Sequence, residues 1–141
     1  YKNSDNHDWM IFFPEKYDIE PDGLFWAKPV FTFKPIYPQN TKFKCLKMRI
    51  SLGPIKKVLN VKSNGRILFT TDAHDQHMDI ELPYSDQYVF ETDPYIPPND
   101  NRELGIYISK IVIVTLEDIA YKVNYTNLTS YDITDIKACK V

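Results

Sequence analysis

Alternation between apolar and polar residues recurs along this chain in segments of strand length, and this pattern limits the possible folds more than any other feature. Turn-forming residues separate the segments at intervals of about ten residues. An apolar pattern with the helical period of about 3.6 residues nowhere persists over the length of a helix. The sequence therefore predicts an all-β, single-domain chain, an antiparallel β-sandwich that resembles a jelly roll.

The clearest strand and the clearest turn lie close together in the chain. The segment Lys42–Ser51 places apolar side chains on one face and Lys47 and Arg49 on the other, as in a strand with one dry and one wet side. Farther on, Asn64-Gly65 supplies the positive φ angles that a type I′ turn requires. We therefore expect a hairpin at this point.

Prolines mark the expected limits of other strands. The apolar run Trp9–Phe13 ends at Pro14. The segment Leu24–Lys34 is expected to be an edge strand, or two short strands that meet at Pro29, because proline cannot donate to a strand ladder. Pro35, Pro38 and Asn40 are expected to close this segment.

The segment Pro97–Leu116 combines a polar turn with the longest apolar run in the sequence, which is typical of a loop that enters a buried strand. The inward phase slips by one residue at Ser109-Lys110, so we expect a bulge there. Asp100 and Arg102 lie two residues apart just before the strand, on the same side of an extended chain. They could brace the loop against the sheet.

Composition excludes several classes of function. The chain has 141 residues, with 17 Lys plus Arg against 19 Asp plus Glu, and this near balance gives no electrostatic case for nucleic-acid binding. The apolar runs are far shorter than the roughly 20 residues that span a bilayer, so membrane insertion is not expected. Cys45 and Cys139 show no zinc-site spacing, and two unpaired thiols are the favoured interpretation. No cofactor is predicted.

Several short motifs follow one another in a consistent order: DG-x-x-W, V-x-x-NG-x-I, M-x-I-x-L-P and P-x-x-D-x-R-x-LG. They correspond to Asp22-Gly23 with Trp26, Val61 with Asn64-Gly65 and Ile67, Met78–Pro83, and Pro97–Gly105. In this order the chain, from about Trp9 to Leu116, resembles a small β-sandwich domain that is appended to bacterial glycosyltransferases.

The resemblance implies a noncatalytic accessory module, similar to carbohydrate-binding jelly rolls, that binds carbohydrate or positions an adjoining domain of a larger protein. The module would span residues 1–117. Residues 118–141 would form a C-terminal strand pair or a linker extension. A cytoplasmic location would follow from association with a glycosyltransferase, and the sequence leaves an extracellular location open.

Aromatic side chains are the main candidates for ligand binding, because exposed rings can stack on the apolar faces of sugars. Tyr84 and Tyr95 adjoin prolines in predicted turns and are the better candidates for exposure. Trp26 follows Phe25 in a strand-like run, so core packing is favoured for it, although the resemblance gives it a sugar-contacting role. Asp100 and Arg102 are the remaining candidates for ligand binding. Trp9 and Tyr88 are further aromatic candidates.

Signals for catalysis and metal binding are weak. The cluster around His74, Asp75 and His77 contains metal-ligating residue types, but a solvated loop is the favoured interpretation. No nucleophile motif is present, and the acidic turn Glu15–Gly23 offers only unpositioned carboxylates for a small hydrolase. The main alternative to the accessory module is a structural or protein-interaction sandwich of a surface or viral protein, which would assemble through an edge strand.

Overall fold

The computed structural model describes residues 2–38, 41–54, 56–73 and 77–126. Within these ranges every regular element is a β-strand, so the all-β prediction is confirmed. The described residues include no helix with the length and apolar character needed to cross a membrane. In chain order the strands are β1 (Lys2–Phe12), β2 (Phe25–Trp26), β3 (Val30–Tyr37), β4 (Cys45–Ser51), β5 (Lys57–Ser63), β6 (Arg66–Ala73), β7 (His77–Pro83), β8 (Tyr88–Thr92), β9 (Tyr107–Val114) and β10 (Ile119–Thr126).

The strands form two layers that share β1 as their link. The hydrogen-bonded order is β6-β5-β8-β3-β1-β10-β9-β4-β7, and β2 pairs with β9. We call β1, β10, β9, β4 and β7, together with β2, the large layer, and β3, β8, β5 and β6 the small layer. The two ends of the path, β6 and β7, also contact each other. The architecture is therefore a sandwich that approaches a closed barrel.

One pairing departs from the antiparallel prediction. β1 and β10 are parallel, with Lys2 opposite Ile119 and Phe12 opposite Thr126. Parallel strands cannot be joined by a tight hairpin, so no turn motif in the sequence predicts that β1 and β10 pair. Here the first and last described strands meet because β10 fills the space between β1 and β9.

The core between the layers is built from aromatic rings. Phe31 stacks between Phe13 and Phe90, with ring centroids 4.7 and 4.5 Å away. Phe25 and Phe33 approach the Phe13 ring edge-on. All these side chains are buried. Both layers contribute to the stack, so it fixes the distance between them.

Several local predictions are confirmed by the strand registers. In β4 the apolar residues face the core while Lys47 and Arg49 face outward. Asn64 and Gly65 have φ angles of 51° and 78°, as the hairpin between β5 and β6 requires. The expected bulge also occurs, since Arg49 lies opposite Lys110 and the next residue, Ile50, lies opposite Ile108. Ser109 is the extra residue.

The strand expected to end at Lys34 runs through Pro35, the first of the three residues expected to close it, and ends just before Pro38, the second. β3 continues to Tyr37, and Pro35 lies opposite Ile11 where the register between β1 and β3 shifts. A shift of register is one of the places where a strand tolerates a residue without an N–H. The sequence shows the proline but not the bulge that accommodates it.

The proposed boundary at residue 117 stays a prediction. Ile119–Thr126 forms β10 and pairs with both β9 and β1, so this part of the expected extension is a strand of the large layer. Residues 127–141 lie outside the described part of the chain.

Gly105 connects three segments just before β9. Its amide donates to the Ala27 carbonyl at 2.7 Å, and its carbonyl accepts a hydrogen bond from Nζ of the buried Lys57. Lys57 also donates to the Asp93 carbonyl at 3.2 Å. A Cβ at Gly105 would lie 2.5 Å from the Lys28 carbonyl oxygen. Only glycine fits this close approach.

Gly105→Ala should lower the free energy of unfolding by about 1–3 kcal/mol, because the added methyl group forces backbone atoms apart in a packed region. Urea denaturation measures the change. Asn101→Ala, at an exposed position in the same loop, should change it by less than about 0.5 kcal/mol. Equal unfolding midpoints for wild type and Gly105→Ala would contradict the close approach.

Burial lowers the pKa of Lys57 from 10.5 to about 8, against a smaller opposing effect of Asp93. Between these pH values the unfolded chain binds more protons at this residue than the folded chain, so stability from Lys57 rises with pH. As the pH rises from 8 to 10.5, the unfolding free energy of wild type should therefore increase relative to that of Lys57→Met. Lys34→Met removes an exposed lysine and serves as the matched control. A flat difference for Lys57→Met would refute the lowered pKa.

Candidate functional site

Three half-buried aromatic residues form a cluster at one end of the large layer. The Trp26 and Tyr107 ring centroids lie 5.0 Å apart, and those of Trp26 and Tyr95 lie 6.4 Å apart. All three side chains are partly exposed, in contrast to the fully enclosed rings of the core. We call Trp26, Tyr95 and Tyr107 the aromatic platform.

Strand pairing dictates the outward direction of the platform. Trp26 of β2 lies opposite Tyr107 of β9, and the adjacent pair, Phe25 with Ile108, points into the core. Because successive side chains of a strand alternate between faces, Trp26 and Tyr107 must face outward together. Gly53, with φ of 89°, lies beside the Trp26 and Tyr95 rings, since a Cβ there would be 3.4 Å from Trp26 and 3.9 Å from Tyr95.

The acidic turn after β1 brings two carboxylates to the rim of the platform. The Tyr107 hydroxyl donates to Glu20 Oε2 at 3.0 Å, with a longer contact of 3.4 Å to Asp22 Oδ2. Asp22 also accepts the Leu24 amide at 3.0 Å, which holds the turn. Burial, together with the hydrogen bond to Glu20 and the nearby negative charges, raises the pKa of Tyr107 to about 12. The rim therefore offers carboxylate oxygens beside aromatic rings.

Asp100 and Arg102, which the sequence places on the same side of the chain, form an ion pair with each other. Arg102 Nη2 donates to Asp100 Oδ2 at 2.7 Å, and the Arg102 backbone amide donates to Oδ1 at 2.9 Å. The guanidinium carbon lies 5.2 Å from the centre of the Tyr17 ring. Tyr17 in turn donates its hydroxyl to the Glu103 carbonyl and its amide to the Trp26 carbonyl. The pair is thus connected to the platform through Tyr17.

Tyr84 lies away from the other candidates. It packs edge-on against Phe43 at 4.8 Å and borders a shallow groove of about 500 Å³ beside the β5–β6 hairpin. Tyr84 follows the end of β7 that lies opposite Cys45, whereas the platform lies at the Ser51 end of β4. The seven residues of β4 span roughly 20 Å, so Tyr84 and Trp26 cannot share one small ligand.

Some site predictions need correction. Trp26 is not a core residue but half-buried at the surface. Trp9 and Tyr88 are buried, with exposed fractions of 4% and 0%, and therefore offer no ring to a ligand. Trp26 and Tyr95 come together, while Tyr84 stands apart.

One residue of the site, Tyr107, was missed from the sequence, and Glu20 and Asp22 were considered only as carboxylates of the acidic turn. Tyr107 sits at an outward position of the alternating strand predicted after Pro97, and this phase could have identified it. The position of the two carboxylates depends on how the acidic turn folds back towards β9, and no residue pattern within the turn predicts this.

The metal-site candidates do not form a described cluster. His77 and Asp79 are exposed on the outer face of β7, while His74 and Asp75 lie outside the described residues. Among the residues that the structure describes, no group of three or more metal-ligating side chains is found. Cys45 is a free thiol that donates to Glu81 at 3.1 Å, and burial raises its pKa to about 11. Cys139 lies outside the described residues.

No family model and no curated protein matches this sequence. Among solved structures, one similar chain is a carbohydrate-binding module of family 29, with 15% identity and a TM-score of 0.43 over 79% of this chain and 82% of that chain. A second is a variant from a study of ligand recognition by family 29 carbohydrate-binding modules, with 13% identity and a TM-score of 0.41 over 79% and 80% of the two chains. Both likenesses are weak. Neither name mentions a glycosyltransferase.

The Arg102 side chain holds the pKa of Asp100 down, from 3.8 to about 2. Because the folded-state pKa is depressed, the pair stabilises the fold above about pH 4 and loses this effect as the pH falls towards 2. Arg102→Gln should therefore lower Tm at neutral pH, and the Tm difference from wild type should shrink across this acid range. Lys28 is an exposed cation that lines the same surface depression as Arg102 but takes no part in the pair, so Lys28→Gln should leave Tm almost unchanged. A Tm difference for Arg102→Gln that stays constant across this pH range would refute the contribution of the ion pair to stability.

Proposed function

We propose that this chain is a noncatalytic carbohydrate-binding module and that the aromatic platform is its binding site. The observation that carries the proposal is the outward cluster of Trp26, Tyr95 and Tyr107, flanked by Glu20 and Asp22. Sugar rings present apolar C–H faces and polar edges, so a site for them needs aromatic surface beside hydrogen-bonding groups. The platform and its rim combine both.

Each residue has a distinct role in this proposal. Trp26 and Tyr95 stack on a sugar ring, because their rings are partly exposed and tilted to each other by 41°. Glu20 and Asp22 accept hydrogen bonds from sugar hydroxyls. Arg102 donates from the edge of the site, held in place by Asp100 and the Tyr17 ring. Contacts through Tyr17 connect Arg102 to the Trp26 backbone.

We propose no catalytic role for the acidic turn. Glu15 accepts the Thr32 amide at 3.3 Å, and Asp22 accepts the Leu24 amide, so these carboxylates hold backbone segments. Glu20 and Asp22 both approach the same tyrosine hydroxyl. This arrangement favours hydrogen bonding to a ligand over the paired acid and base that glycoside hydrolysis requires.

Association with a glycosyltransferase and positioning of an adjoining domain are finer parts of the proposal. They rest on the order of sequence motifs between Trp9 and Leu116. A nucleotide-sugar-binding domain in the same polypeptide would support this context. Repeated sandwiches behind a signal peptide would favour a surface protein instead.

The outer face of the small layer favours an alternative function in protein interaction. Val30, Val58 and Ile67 are exposed there by 55%, 44% and 59%. These residues belong to β3, β5 and β6, so the apolar positions spread across the sheet. A structural or assembly module would use such a face to bind another protein.

Binding to a panel of neutral and acidic oligosaccharides, measured by titration calorimetry, tests the function. Tyr95→Ala should weaken binding by about 1–2 kcal/mol, because one stacking ring is lost. Tyr84→Ala truncates another half-buried tyrosine at the far end of the layer and serves as the matched control. Its affinity should equal that of wild type.

Two results would contradict the proposal. If wild type binds no oligosaccharide of the panel at millimolar concentration, the interaction function at the small layer replaces it. If Tyr84→Ala weakens binding and Tyr95→Ala does not, the site lies at the groove beside the β5–β6 hairpin and not on the platform.

A further inference from the structure

The outer face of the large layer continues from the platform into a second set of side chains. Strand registers place Trp26, Tyr107, Ser51 and His77 in one row across β2, β9, β4 and β7. Two residues farther along β4, Arg49 lies between Lys110 and Asp79, and two residues beyond that, Lys47 lies between Val112 and Glu81. Because alternate residues of a strand share a face, all three rows face outward on one surface.

The second and third rows line a groove of about 450 Å³, which we call the charged groove. Its polar lining consists of Lys47, Arg49, Asp79, Glu81 and Lys110. Beside it, the exposed Lys122 of β10 lies opposite Val112 of β9. Counting Lys122, cations outnumber carboxylates on this part of the face, although the chain as a whole has a net charge of −2.

The β9 bulge places two cations side by side. Ser109 is the extra residue, and its hydroxyl donates to the Arg49 carbonyl at 3.1 Å. As a result Lys110 lies directly opposite Arg49. Like charges at opposed positions of neighbouring strands destabilise a sheet unless an anion compensates them. Bulges often re-aim side chains next to binding sites.

The acidic residues of the groove compensate these cations only weakly. The Arg49–Asp79 and Lys47–Glu81 pairs are both 3.9 Å long, and the side chains of Arg49, Asp79 and Glu81 are more than half exposed. Elsewhere, the nitrogen–oxygen distances in the Lys62–Glu91 and Arg102–Asp100 ion pairs are shorter, at 3.0 and 2.7 Å. Lys110 has no acidic partner among the described residues. A ligand anion could therefore contact Arg49 and Lys110 without first breaking a strong ion pair.

We propose that the ligand is an acidic oligosaccharide, whose sugar rings lie on the aromatic platform and whose anionic group binds Arg49 and Lys110 in the charged groove. This inference rests on the proposed function and adds the chemical class of the ligand. Along β4, Arg49 is two residues, about 7 Å, from Ser51, and Ser51 lies opposite Tyr107 of the neighbouring strand, about 5 Å away. One or two linked sugar rings span the distance from Tyr107 to Arg49. The anionic group is a carboxylate or a sulfate, both of which accept hydrogen bonds from arginine and lysine.

Titration calorimetry with three oligosaccharides of equal length tests the inference: a uronic acid oligomer, a sulfated oligomer and a neutral oligomer. Wild type should bind at least one acidic oligomer about tenfold or more tightly than the neutral one, as expected for one or two charge-assisted hydrogen bonds. Comparison of the two acidic oligomers identifies the anionic group. The higher affinity for the acidic oligomer, relative to the neutral one, should decrease in high salt.

Variants locate the anion. Arg49→Gln combined with Lys110→Gln should remove most of the advantage of the acidic oligomer while leaving the affinity for the neutral oligomer unchanged. The matched control, Lys34→Gln combined with Lys28→Gln, removes two exposed cations outside the groove and should retain the advantage. Thermal unfolding of each variant confirms that the fold is kept.

The outcomes separate this inference from the proposed function. Binding of neutral and acidic oligomers with equal affinity, still weakened by Tyr95→Ala, overturns the inference and leaves the proposed function standing. Acidic binding that is insensitive to Tyr95→Ala overturns the inference as well, because the contact would then be electrostatic attraction without a sugar site. Absence of binding to all three oligomers overturns both.

Discussion

Burial of aromatic rings between the two layers is the interaction on which the rest of the structure depends. Phe31 lies between Phe13 and Phe90 at stacking distance. Phe13 directly follows β1, and β1 is the strand that joins the two layers. Aromatic rings bury more apolar area than other side chains and also prefer defined ring geometries. The stack therefore sets both the stability and the spacing of the sandwich.

This core also decides which aromatic residues remain for a ligand. The rings of Trp9 and Tyr88 are enclosed, and those of the Phe13 stack cannot be reached from the surface. Trp26, Tyr95 and Tyr107 lie on the other side of the large layer and stay partly exposed. A cluster of three half-buried rings at the surface is the kind of apolar patch that often marks a binding site, which favours a binding role.

The position of the platform depends on the segment between β8 and β9. Tyr95 forms two backbone hydrogen bonds with Leu104, and the next residue, Gly105, packs against the backbone at Lys28. Lys57 holds both ends of this segment through the carbonyls of Asp93 and Gly105. Buried donors that bridge separate segments in this way fix the geometry of a surface site without contacting a ligand themselves.

The sequence by itself determined the alternating strand β4, the Asn64-Gly65 hairpin, the bulge at Ser109 and the closeness of Asp100 and Arg102 on one side of the chain. Each of these follows from residues that are neighbours in the chain, through alternation, turn preference or a two-residue spacing. Only the tertiary structure decided the parallel pairing of β1 with β10, the passage of β3 through Pro35, and the meeting of Trp26 with Tyr95 and Tyr107. These arrangements join residues that are distant in the chain, and periodicity shows which face of a strand is apolar but not which strand will lie beside it.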